Sequence, residues 1–334
     1  MRFIGVDLAW GEGNGGKQPN ETGLVVLDDQ GVVLDADWVR GVEDAALWVS
    51  DRAEPGTLVA VDAPLVITNE GGMRQCEREV GRAYGRWKVS ANASNTAMGW
   101  QAGVSLRQRL EQEGVTYLDG LTPAPADGRS MIEVYPYATL VGMWELGYDD
   151  ERPRYKRLNP SVPAPEARQQ RAAACDELLR RVAALAVAET PLDLRSHPLT
   201  ARLLDEPSPL DQTAYKHRED LLDAALCAWT AAVHHTHPER TQVLGAGAEP
   251  DADGRRPVIV APSRPEQRVA TKSSQARGGA DAGSGSGADA TAASGGSAAV
   301  DRALASVKEL RRDVDGLATR LRALEKELTA LRRR

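Results

Sequence analysis

Phe3-Ile4-Gly5-Val6-Asp7-Leu8-Ala9-Trp10 is the stretch on which the reading of this chain turns. An uncharged run beginning almost at the first residue reads as a buried strand. It ends in one carboxylate that a buried strand does not tolerate without a partner or a metal. Leu58-Val59-Ala60-Val61-Asp62-Ala63-Pro64 repeats the pattern: an apolar strand finishes in Asp and the chain is then turned away by proline. Two strands that each end in Asp bring both carboxylates to the same edge of one sheet, the edge at which α/β sheets place their sites.

Between these strands, Thr22 to Leu27 and Val32 to Val39 read as two more, joined at Asp28-Asp29-Gln30-Gly31 by a hairpin turn. Glu43 to Arg52 has helical spacing and leads over to the Asp62 strand as a crossover. Three antiparallel strands, a helix and a fourth strand is an RNase H-like order. Gly11 to Lys17 superficially suggests a phosphate loop but lacks the Walker spacing, so a flexible turn is expected there.

Further along, Gly72 to Arg86 and Gln101 to Glu113 are helical in pattern. Arg74, Arg78, Arg82 and Arg86 recur every four residues and make one basic stripe, either a solvated face or a surface for phosphate. Lys88 opens a polar, loop-like segment, and Arg154, Lys156 and Arg157 sit with Arg152 in a Pro-containing loop that forms a second basic patch. Ser130 to Pro136 is strand-like and carries Glu133 among apolar neighbours, where an unpaired carboxylate is costly. Glu166 to Ala188 reads as a long amphipathic helix, and prolines interrupt Glu189 to Leu210. In Arg218 to Ala232, Asp220 and Asp223 share a helix face, and the small residues after Asp223 let that helix lie close on a sheet. Acids also suit a helix's first turn, which accounts for Asp220 better than for Asp223. Pro257 to Val260 is a candidate edge strand.

The 334 residues, 42% of them hydrophobic, suffice for a sizeable core. Without an apolar stretch of membrane-spanning length or a signal-peptide pattern, a cytoplasmic protein with no membrane partner is expected. Cys76, Cys175 and Cys227 lack paired spacing and read as reduced. Residues 263–334 hold fourteen basic and nine acidic groups, so residues 1–262 carry a net −12 against −7 for the whole chain. So acidic a head excludes indiscriminate nucleic-acid binding; any contact uses a local basic patch.

Residues 263–299 are rich in Gly, Ser, Ala and Asp and read as a flexible linker. In residues 300–334, Val300, Val307, Val314, Leu321 and Leu328 occupy one heptad position, and Ala303, Leu310, Leu317, Leu324 and Leu331 the other. That is a coiled-coil seam, and a homo-oligomer assembled through residues 300–334 is expected.

Gly5-Val6-Asp7, Val61-Asp62-Ala63-Pro64, the arginine-bearing stretch around Cys76, Ile132-Glu133-Val134-Tyr135-Pro136 and Asp220-Leu221-Leu222-Asp223-Ala224, in this order, resemble the predicted RNase H-like nuclease family catalogued as domain of unknown function 429. The resemblance covers roughly residues 1–236. It implies an α/β, RNase H-like mixed sheet flanked by helices over residues 1–262, and metal-dependent hydrolysis of nucleic-acid phosphodiesters. Carboxylates converging on one side would hold two Mg²⁺ or Mn²⁺ ions. By the resemblance, Asp7 bridges both, Asp62 and Asp223 hold one each, and Glu133 or Asp220 is the fourth ligand. Arg74, Arg78, Arg82, Lys88, Arg154, Lys156 and Arg157 are the expected phosphate contacts. Two other classes share such a sheet: a kinase or ATPase holding Mg-ATP, and a non-catalytic binding module multimerised by the coiled coil.

Overall fold

The computed structural model describes residues 1–10, 19–99 and 101–268. The Gly11 to Lys17 segment and the heptad residues 300–334 lie outside them. A six-stranded mixed sheet is built from β1 (Arg2–Asp7), β2 (Glu21–Asp28), β3 (Val33–Arg40), β4 (Thr57–Val61), β5 (Thr116–Tyr117) and β6 (Arg129–Glu133), in the order β3-β2-β1-β4-β6-β5. β1, β2 and β3 form the antiparallel meander, and β4, β6 and β5 run parallel to β1. Asp28 closes the first hairpin: its Oδ1 accepts from the backbone N–H of Gln30 at 2.9 Å and of Val32 at 2.8 Å, and Gly31 adopts φ +76°.

Alternation along β1 sends Ile4 and Val6 to one face of the sheet and Phe3 to the other, and both faces are covered. Hence the uninterrupted apolar reading of the strand. On the first face pack α1 (Val42–Arg52) and α3 (Ala102–Gln112), with Ala45, Val49 and Leu106 fully buried. The second face carries α7 (Gln212–Thr236), beyond which stand α4 (Pro136–Gly142), α5 (Ala164–Ala183) and α6 (Pro198–Asp205). A small antiparallel sheet of β7 (Thr241–Leu244) and β8 (Ile259–Pro262) joins the main one through a single bridge, Val134 to Val260. The remaining helix, α2 (Gln75–Tyr84), packs against β7.

Two glycines set how closely α7 lies on the sheet. A Cβ on Gly5 would stand 1.8 Å from the carbonyl oxygen of Ala224, and one on Gly23 would stand 2.2 Å from that of Asp220. Gly23 is also the register partner of Asp7. The absent side chains therefore fix the helix acids beside the strand acid. Asp211 caps α7 by accepting from the N–H groups of Thr213 and Ala214 at 3.0 and 2.9 Å. Asp220 consequently lies about two turns inside the helix, so first-turn capping does not explain it.

Three expectations change here. Pro198 opens α6 at its first position instead of interrupting the chain. Ser263 and Arg264 belong to the packed head and not to a linker: the buried Arg264 guanidinium donates to the Val141 carbonyl at 2.6 Å and to that of Tyr148 at 2.8 Å. Finally, the Pro257 to Val260 strand begins at Ile259 and pairs outside the main sheet. All three cysteines are free and buried. Among the described residues no helix is long and apolar enough to cross a membrane.

Candidate functional site

Asp7 ends β1, and Asp62 follows β4 directly, its N–H extending the parallel ladder to Val6 at 2.8 Å. Both carboxylates thus emerge at one edge of the sheet. Lys216, Glu219, Asp220 and Asp223 recur at helical spacing on α7, on the face pressed towards β1 and β2. Between strand acids and helix acids stand two lysines. Lys216 Nζ lies 3.9 Å from Asp7 Oδ2, 3.1 Å from Glu219 Oε1, and in close contact with Asp220 Oδ1. Lys156, from the irregular segment before α5, lies 2.5 Å from Asp223 Oδ2 and 3.8 Å from Asp62 Oδ2. Each ammonium ties one strand carboxylate to the helix.

Five carboxylates against two ammonium groups leave an excess of negative charge in a buried place. The consequences appear in the proton affinities. Burial, followed by the charge of Asp7, pushes the Asp220 carboxyl up to about 9. Burial raises Glu219 to about 7, and raises Asp62 and Asp223 as well, against the opposing pull of the lysines. Hydrogen bonding relieves little of this. Tyr155 donates its hydroxyl to Asp223 Oδ1 at 2.6 Å, but the Oδ2 atoms of Asp220 and Asp223 have no hydrogen-bond partner. Lys156 meets Asp223 Oδ2 as an ion pair without hydrogen-bonding geometry.

The acids open into a cleft of about 420 Å³ whose floor includes Asp7, Asp62 and Asp220. Lys88, Arg152 and Arg157 also line it, with Trp10, Tyr135 and Tyr137.

Glu133 is elsewhere. Arg74 grips it with both ends of its guanidinium, Nη1 to Oε2 at 2.9 Å and Nη2 to Oε1 at 2.6 Å, and the Leu65 N–H adds a third bond at 2.9 Å. The same arginine donates its Nε to Glu77 at 2.7 Å. All three side chains are buried. Both Glu133 oxygens are therefore spent on a closed triad, and the expectation that it serves as fourth ligand gives way to Asp220, which faces the other acids across Lys216.

Arg74 is corrected by the same observation, because its guanidinium is consumed inside the fold and offers nothing to a phosphate. It also precedes α2 in extended conformation, outside the helical stripe. Arg78 and Arg82 are exposed on α2 but do not line the cleft. Arg154 lies outside the cleft and pairs with Glu151 at 3.1 Å, whereas Lys88, Lys156 and Arg157 do line it. Sequence reasoning missed Lys216 and Glu219. The spacing of Lys216 four residues before Asp220 was a usable signal for the first.

The fold and site define an α/β protein whose parallel strand ends and one long helix enclose an acid-rich cleft. The chain belongs to the family described as protein of unknown function (DUF429), which matches residues 5–249. No curated protein and no solved structure matches it.

Proposed function

We propose that this protein is a metal-dependent phosphodiesterase acting on nucleic acid, on an RNase H-like sheet. Support for the fold comes from the strand order, an antiparallel meander followed by a parallel strand joined through a crossover helix. The observation that carries the activity is the delivery of Asp7, Asp62, Asp220 and Asp223 to one site with the buried Asp220 Oδ2 left without a partner.

Among the described residues no three His, Cys, Asp or Glu side chains stand as a finished metal site. The donors nevertheless fit a hard cation. All are carboxylate oxygens, they repel one another, and the positions between them are taken by ammonium groups. Asp7, Asp62, Asp220 and Asp223 would hold Mg²⁺ or Mn²⁺, which supplies an activated water and shields the charge of the scissile phosphate. The chain's own part is then distinct. Tyr155 orients Asp223, and Lys216 and Lys156 keep the acids together before the cation arrives.

The test is hydrolysis of labelled single-stranded and duplex oligonucleotides with Mn²⁺. Cleavage by the wild type that is lost in Asp7→Asn supports the reading. Equal residual cleavage by both would assign the activity to a contaminant and overturn it. Lysines seated among the acids favour one second reading, a binding module whose ammonium groups permanently replace the metal. It requires nucleic-acid binding with no response to Mn²⁺.

A further inference from the structure

The wall facing the acids carries information that the acids do not. Two irregular segments, residues 88–95 and 149–157, make it, and they are stitched together. The Arg152 N–H donates to the Trp87 carbonyl at 3.1 Å and its Nε to the Lys88 carbonyl at 2.8 Å. The Trp87 indole donates to the Asp149 carbonyl at 2.8 Å, and the Tyr135 hydroxyl ties Ser90 to the sheet at 2.9 Å. Such a wall is formed in advance of any ligand.

Two of its cations, Arg152 and Arg157, are placed for an anion that the protein does not provide. Among the described residues neither Arg152 nor Arg157 has a carboxylate partner, although several carboxylates share their cleft. Arg152 lies over the Tyr137 ring, 4.3 Å from its centroid, which leaves the outer edge of the guanidinium for an acceptor. Arg157 has only a long bond, 3.4 Å, to the Asn92 side chain. Lys88 is the single non-glycine residue with positive φ among the described residues, at 62°. Its ammonium is already met by Glu151 Oε2 at 2.6 Å, so it offers less to an added anion than the two arginines do.

Trp10 and Tyr135 line the same cleft, and so does Tyr137, which is buried beneath Arg152. Aromatic faces beside guanidinium groups are what a nucleobase and its phosphate require together. A space of about 420 Å³ takes a ligand the size of one or two nucleotides. A duplex laid across the head would meet the net −12 charge of residues 1–262, whereas a strand entering the cleft meets the arginines.

We infer that the substrate is single-stranded nucleic acid, held by Arg152 and Arg157 at its phosphates and stacked on Trp10 and Tyr135. This rests on the phosphodiesterase reading for the reaction but not for the binding. The arginines hold the strand with its backbone across the acids, and a space of this size admits a single strand and not a duplex.

The test uses the full chain in Ca²⁺ and follows anisotropy of a labelled oligothymidylate and of a blunt duplex, with substrate integrity checked on a gel. The strand should bind at least about tenfold more tightly than the duplex. Arg157→Gln should weaken strand binding several-fold and lower its log–log salt slope by about 0.7. Arg152→Gln should do the same, with its fold checked by the melting temperature. Duplex binding as tight as the strand's, no binding of either, or salt slopes unchanged in both variants would overturn the inference. Strand binding without cleavage in Mn²⁺ would remove the hydrolytic reading and leave this one. Duplex cleavage that ignores both variants would do the reverse.

Discussion

Two clusters of buried acids lie at the same end of the sheet, and they are built differently. Around Glu133 every oxygen is met by an N–H: the Arg74 fork is planar and bidentate, with the Leu65 and Ser94 backbone groups completing the Glu133–Arg74–Glu77 triad. Around Asp7, Asp62, Asp220 and Asp223 the cations are lysines, point charges up to 3.9 Å away, and the buried Asp220 Oδ2 is left without a partner. The first cluster is closed and holds the chain after β4 to β6 and α2. The second is open to a cleft. A buried acid by itself does not indicate chemistry; an acid whose hydrogen bonds are incomplete does.

This contrast can be broken first at its strongest point. Glu133→Ala leaves the Arg74 charge buried and half-partnered, and should cost about 3–5 kcal/mol in urea unfolding. A loss below 1 kcal/mol on the order of a surface change would mean that the triad is not structural. Gly5→Ala forces α7 off β1 and should cost about 1–3 kcal/mol or more, with any metal response falling alongside stability. In the open cluster the sign reverses. Asp220→Asn removes a carboxylate that resists ionisation, so the metal-free protein should gain about 1 kcal/mol, read as a higher melting temperature.

The remaining effect is one of pH. Because the Asp220 carboxyl is raised to about 9 in the fold from an ordinary 3.8, its contribution to stability is fully present at low pH and lost as pH rises through about 9. Glu219, raised to about 7, adds to the loss in the same direction. The metal-free protein should therefore melt lower at pH 9 than at pH 6, by less in Asp220→Asn. A flat profile between those values would show the acids to be solvated after all.

Much of this architecture was legible in the sequence. The apolar run into Asp7, the Asp28 to Gly31 turn and the repeated strand into Asp62 specify the sheet through alternation, turn chemistry and punctuation, all of them local. Asp223 was legible because small residues after it announced close packing. What stayed hidden was pairing across the chain. Nothing near Glu133 names Arg74, which lies 59 residues away, and the four-residue spacing of the arginines suggested one exposed face although its first member is buried. Lys156 looked like part of a basic loop because its partners, Asp62 and Asp223, come from distant elements. Pro198 read as a break because proline both ends and begins helices, and only the fold decides which.

On the proposed function, the open cluster is a cation site closed provisionally by lysines. Calorimetric titration of Mn²⁺ into the wild type and Asp7→Asn, in two buffers of different ionisation heat at pH 8, tests it directly. Binding by the wild type should release protons from Asp220 and its neighbours, so the measured heat should differ between buffers, and Asp7→Asn should bind far more weakly. No heat of binding in the wild type, or equal binding by the variant, would contradict it.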